Sequence, residues 1–261
     1  MTKWILSGIA AIVAILLLPL LWIAIDQDTP GAADAPVTGL PWQIDVLSDG
    51  GSRVFGLEPG TSLLNDAIAH FGPDAEVAII APPGQAPALE AYFESVRAGF
   101  ITARVILTVA IETDELAAMQ SRVVKSSYME SATRKLTLHA DDLARARTLP
   151  ILAIAFIPSA DLDEAVIVDR FGPPTLRIPV NDHLEHFLYP ERGLDIALDA
   201  RGKEILQYVA PRDFDRLSAP LIGTASDAAG NEQDETHDAG EPGAANEVES
   251  ADHPDDRDHK Q

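Results

Sequence analysis

The densest group of residues able to do chemistry is Asn181-Asp182-His183-Leu184-Glu185-His186, with Tyr189 and Glu191 close behind. Two imidazoles and a carboxylate are metal-ligand types, and on a helix His183 and His186 would share a face. The flanking pattern reads as a strand, where positions three apart point to opposite faces. The order also differs from the His-Glu-x-x-His arrangement of zinc proteases. No metal site is therefore expected, and a hydrolase using Asp182, His183 and Glu185 stands as the rival reading. No serine sits in a Gly-x-Ser-x-Gly turn, and Ser126, Ser127 and Ser131 fall in a polar stretch read as helical. Ala81-Pro82-Pro83-Gly84 lacks the lysine and the amide donors a phosphate loop needs. Asp141 and Asp142, and Asp161, Asp163 and Glu164, read as acids complementing helix N-termini. The expectation is a non-enzyme with no catalytic residues and no cofactor.

One interaction site is foreseen. Arg170, Arg177 and Arg192 can gather near Tyr189-Pro190-Glu191-Arg192-Gly193, giving a small basic spot on an acidic body. Such a spot, with Tyr189, could hold a carboxylate or a partner's acidic side chain. The competing use of each arginine is a surface ion pair worth about 0–1 kcal/mol.

The elements that must position these residues look duplicated. Phe71-Gly72-Pro73 and Phe171-Gly172-Pro173 lie 100 residues apart. Each follows an apolar stripe at helical spacing, Ala67 and Ile68 in one case, Ile167 and Val168 in the other. The first helix is expected to start at Thr61 or Ser62, the second at Asp161 with Glu164 as a capping box. Each should stop at its glycine, with proline preventing continuation. Downstream, both copies read strand, turn, strand, with Arg-x-Gly at the turn in the first and Arg-Gly in the second. Alternation in Leu194–Asp199 and the turn Ala200-Arg201-Gly202-Lys203 predict a hairpin closing through Glu204–Val209. Gln43–Leu57 predicts a leading hairpin. Between the copies, Asp114–Met129 reads as a helix, Lys135–Leu138 as a strand, Asp141–Arg147 as a helix and Ile151–Ile157 as a buried strand. Phe71, Phe171, Tyr92, Phe93, Phe187 and Tyr189 are expected mostly in the core.

Charge and hydropathy are unevenly placed along the 261 residues, whose net charge is −22. With 41 acidic against 19 basic side chains, nucleic acid is excluded as a partner. The absence of cysteine excludes a disulfide scaffold, a thiol enzyme and a lipidated anchor. Residues 4–25 carry no charge and include six Leu, six Ile and one Val, worth on the order of −6 kcal/mol of insertion free energy. As a helix the run spans roughly 33 Å, enough for a hydrocarbon core of about 30 Å. It is expected to be an uncleaved transmembrane helix contacting the lipid bilayer. A secretory signal cut near Ala35 is the alternative. Lys3 before it and Asp26 and Asp28 after it place residues 1–3 in the cytoplasm and the bulk outside. Ala-rich composition with Arg well ahead of Lys suggests a bacterial genome, so outside means periplasm and the membrane is the inner one. Residues 26–41 read as a linker. Residues 218–261 hold twelve Asp or Glu against Arg257 and Lys260, −10 of the total, and read as a disordered acidic tail. His237, His253 and His259 within it could bind cations weakly.

The stretch Arg170-Phe171-Gly172-Pro173-Pro174, then Glu185–Val209, resembles the small outer-membrane-assembly lipoproteins of the BamE/SmpA type. The resemblance covers about 161–209 and, more weakly, 61–109. It implies helices ending at a Gly-x-Pro corner before a three-stranded antiparallel sheet, and a non-catalytic scaffold role in envelope assembly. That family carries a lipidated cysteine and usually one copy, whereas this chain has no cysteine and two copies. The expected organisation is α+β: a transmembrane helix at 4–25, units at 42–112 and 159–217 joined by 113–158, then the tail. The expected function is a binding or assembly module facing the periplasm, with an envelope protein as partner. A regulatory subunit contacting a membrane complex through the tail is a further alternative.

Overall fold

A computed structural model describes residues 37–129 and 131–223. The run at 4–25, most of the linker and the tail beyond 223 lie outside the described residues. Among the described residues no helix is long and apolar enough to cross a membrane.

The architecture is α+β. A two-residue hairpin, β1 (Asp45–Val46) with β2 (Ser52–Arg53), precedes helix α1 (Leu64–Phe71). Strands β3 (Glu76–Ala81), β4 (Ala88–Ala98) and β5 (Ile101–Val109) follow as a meander. Then come α2 (Thr113–Gln120), β6 (Lys125–Tyr128), β7 (Arg134–Thr137), α3 (Ala140–Ala146) and β8 (Ile151–Pro158). Helix α4 (Glu164–Phe171) leads to β9 (Leu176–Pro179), β10 (Leu184–Tyr189), β11 (Leu194–Asp199) and β12 (Ile205–Tyr208). A final helix, α5, covers residues 215–223. Strands β3 to β12 form one sheet in the order β6-β7-β3-β4-β5-β8-β12-β11-β10-β9, with every pairing antiparallel.

The two chain halves therefore meet at the β8–β12 pairing, with helix-first meanders, β3 to β5 and β9 to β12, each running inward toward it in mirrored order. Strand alternation assigns the faces. Leu89 and Phe93, Val105 and Leu107, Ile154 and Phe156, Leu206 and Tyr208, and Ile196 and Phe187 all enter one core with Leu64, Ala67, Ile167 and Phe171. Helices α1 and α4 thus cover the same face. On the other face Ile178, Leu188, Val209 and Phe214 pack with Leu217 and Leu221 of α5.

The corners explain how each helix stops. Gly72 (φ 117°, ψ 164°) and Gly172 (φ 79°, ψ 179°) both occupy a region nearly closed to residues with a Cβ. The amide of each bonds the carbonyl four residues back, Ile68 or Val168. The following proline cannot extend the helix.

Five sequence expectations are corrected. The helix expected over Asp114–Met129 ends at Gln120, and Lys125–Tyr128 is strand β6. Its backbone pairs with β7 in full register, an interaction no local propensity reveals. The second helix is capped by Asp163, whose Oδ1 accepts the Val166 amide at 2.8 Å, while Asp161 pairs with Lys203. The first begins after Leu63, whose amide donates to Asp66 at 2.8 Å. The boundary expected at 217/218 falls inside α5: Ser218 is buried, because Phe214, Leu217 and Leu221 form an apolar stripe facing the sheet. The linker expected to end at 41 is already packed near its end, with Leu40 buried and Pro41 O accepting the Tyr208 hydroxyl at 3.0 Å.

Two stability predictions follow from these contacts. No atom lies within 4 Å of a Cβ built on Gly172, so Gly172→Ala isolates backbone strain. It should cost about 1–3 kcal/mol in urea unfolding. Asp142, buried in α3, takes Arg122 through both oxygens at 2.8 and 2.5 Å. That bonding holds its carboxyl below the usual range. The contribution is therefore present above about pH 4 and lost as pH falls through the depressed value. Arg122 is half exposed, so Asp142→Asn should cost only about 1–2 kcal/mol at pH 7. The gap from wild type should close in acid, as unfolding curves across pH would show.

Candidate functional site

Strand β10 separates the residues foreseen as a site. His186 points to the face opposite α4 and is nearly enclosed, its Nδ1 lying 2.9 Å from both oxygens of Asp195. Gln207 Nε2 donates to Asp195 Oδ2 at 3.3 Å. Asp195 is 1% exposed, so this is a buried imidazole–carboxylate pair with an amide alongside. Glu185 lies on the α4 face and bonds Arg177. His183 precedes the strand, and its Nδ1 is 2.9 Å from Asp199 Oδ1. Asp182 accepts from Arg201 at 2.8 Å. Asp182, His183 and Glu185 thus each engage a different principal partner. Among the described residues, no group of three His, Asp or Glu is placed to hold a metal ion.

The basic spot is distributed. Arg192 Nη1 donates to the Phe171 carbonyl at 2.6 Å, and the Tyr189 hydroxyl donates to the Gly172 carbonyl at 2.9 Å. Arg192 and Tyr189 therefore clamp the second corner through its backbone. Burial pushes the Tyr189 hydroxyl up. Gly193 makes the clamp possible: it adopts φ 66°, and a Cβ there would stand 2.0 Å from the Val209 carbonyl. Arg170 lies 5.1 Å over the Trp42 ring, itself edge-on to Phe171. Arg177 lies 4.3 Å over the Phe187 ring, with bonds to both oxygens of Glu164 and of Glu185. Those carboxylates raise its guanidinium further above its ordinary value.

The sequence reading missed an open groove on the far sheet face. Helix α5 shields part of the half built from β9 to β12. The half built from β3, β4 and β5 carries a groove of about 360 Å³. Ala78, Ile80 and Ile106 form its floor, with Tyr92, Glu90 and Arg104 among its lining. Tyr92, expected in the core, is half-buried here and bonds Glu94. Lys135 Nζ and Glu76 Oε1 form an ion pair at the wall, 2.6 Å apart. Burial pushes the Glu90 carboxyl up. Leu89, Ala91 and Phe93 enter the core, while Glu90 and Tyr92 of the same strand line the groove. Which face stays uncovered depends on where α5 packs.

No family model, curated protein or solved structure matches this chain.

The buried pair and the partly exposed one should respond differently to mutation. His186→Ala strands a buried carboxylate and should cost about 2–3 kcal/mol. His183→Ala should cost under about 1 kcal/mol. Chemical denaturation of the two variants separates these outcomes.

Proposed function

We propose that this chain is a non-catalytic binding or assembly module of a bacterial envelope. In this reading residues 4–25 anchor it in the inner membrane, the amino terminus is cytoplasmic, and the body works in the periplasm on an envelope protein partner. Support for the anchor comes from the uncharged run and its flanking charges. Since residues from 37 onward pack on the body, only residues 26–36 separate it from that run. Fully extended, those residues reach at most about 40 Å, which keeps the body near the lipid surface.

We also infer that the two halves are copies of one unit. Helices of equal length end in the same Phe-Gly-Pro corner with the same glycine conformation, and their meanders run in mirrored order. The similarity of 161–209 to the BamE/SmpA type supports a scaffold role.

The observation that carries the binding reading is the uncovered groove beside β4. Its apolar floor suits a partner's aliphatic side chains, and Glu90 suits a basic group among them. Crosslinking the full-length protein in its native membrane tests this. Wild type should yield a defined partner, and Tyr92→Ala with Ile106→Lys should reduce that adduct about tenfold with little change in Tm. An unchanged adduct in the double variant would reject the groove. Substrate turnover with no partner would reject the module.

A further inference from the structure

A second cavity lies on the α4 face, where the β11–β12 turn meets the start of α4. Its volume is about 510 Å³, and its charged lining is Asp161, Asp163, Glu164, Asp199, Glu204 and Arg201. Most of these groups are already engaged. Asp161 holds Lys203, Asp163 caps α4, Glu164 bonds Arg177, and Asp199 takes His183 and the Arg201 amide. Glu204 is different. It is 5% exposed, and its Oε2 is enclosed without a hydrogen-bond partner among the described residues. Leu162 and Leu198 also line the cavity beside it. An enclosed carboxylate oxygen without a donor works against folding, and buried acceptors are otherwise almost always satisfied. Lys203 and Arg177 neutralise Asp161 and Glu164, and Arg201 is bonded to Asp182. Among the described residues this leaves Asp163, Asp199 and Glu204 facing the cavity without an arginine or lysine side chain as partner, so the group this lining suits is a cationic donor. No three carboxylates stand close enough to chelate a metal ion.

We propose that this cavity binds a primary ammonium group, with Glu204 as its principal acceptor and the acidic rim as its electrostatic guide. An ammonium brings three N–H donors on a compact charge, and its alkyl stem can lie along Leu162 and Leu198. The group comes from a partner's lysine or from a free polyamine, and both present the same chemistry. This site is separate from the groove, so either can fail alone.

The test is calorimetric titration of the full chain in detergent with cadaverine and with Nα-acetyl-lysine amide. Tetramethylammonium, a cation without N–H donors, and calcium chloride serve as comparisons. Saturable binding of at least one amine is expected, weakened at least tenfold in Glu204→Gln. Tighter binding of cadaverine assigns a free polyamine, and tighter binding of the lysine amide assigns a partner side chain. Equal binding of tetramethylammonium, calcium binding in place of the amines, or no loss in Glu204→Gln overturns the proposal. Methyl NMR of the unmutated chain gives an independent readout: contacts from ligand methylenes to Leu162 and Leu198 are expected, and their absence also overturns it.

Discussion

The fold depends on the seam between β8 and β12. Ile154 opposes Tyr208 and Phe156 opposes Leu206, and without those pairings the ten strands would be two separate sheets. The seam is fastened on the helix-covered face by Phe55, whose ring stacks on Phe156 at 5.0 Å and meets Tyr208 edge-on at 5.5 Å. Phe55 has φ 55°, a conformation costing a bulky residue on the order of 1–2 kcal/mol. Burying its ring returns about 1.5–3 kcal/mol, and the ring pairs add to that. The strain is held in a two-residue turn closed by reciprocal Val54–Leu57 bonds of 3.0 and 2.9 Å, with Gly56 completing it. The Tyr208 hydroxyl, held far up its titration range by burial, ties the incoming segment to the same point through Pro41.

From that seam outward, the motifs that stand out in the sequence do structural work. Tyr189 and Arg192 spend their donors on the carbonyls of Phe171 and Gly172. The Tyr-Pro-Glu-Arg-Gly run is therefore explained by the corner it closes, with Gly193 required by its approach to Val209. Rings pack both corners, Phe71 against Phe55 and Phe93 in the first and Phe171 against Trp42 and Tyr189 in the second. Among the described residues the polar clamp distinguishes the second corner from the first.

Much of this was legible locally. The leading hairpin, the β10–β11–β12 meander, the buried strand β8 and both glycine stops follow from alternation, turn chemistry and breakers. What was not legible depends on distant partners. Lys125–Tyr128 is polar enough to pass as a helix continuation, and only the β7 backbone makes it a strand. Asp161 and Asp163 are equally good caps by residue type, and Lys203 across the sheet takes one of them. Glu185 and His186 are neighbours in the sequence, yet the pleat sends them to opposite faces, one to Arg177 and the other to Asp195. Tyr92 looked like core because its strand is core on the other side.

The two halves differ most in what lies over their far face. In the second half, Phe214 just before α5, and Leu217 and Leu221 on it, pack with Ile178 and Leu188. In the first half, β3 to β5 present Ile80, Tyr92 and Ile106 in the groove, with Glu90 partly desolvated. Among the described residues the helix after β12, α5, lies over the far face, whereas the helix after β5, α2, sends Leu116 and Met119 into the other core, and the groove stays open. An exposed apolar floor carries a solubility cost unless a contact uses it. The groove's rim of Glu76, Glu90, Arg104 and Lys135 tempers that cost while leaving the floor accessible. The asymmetry of coverage, rather than any single side chain, is therefore what leaves this groove open.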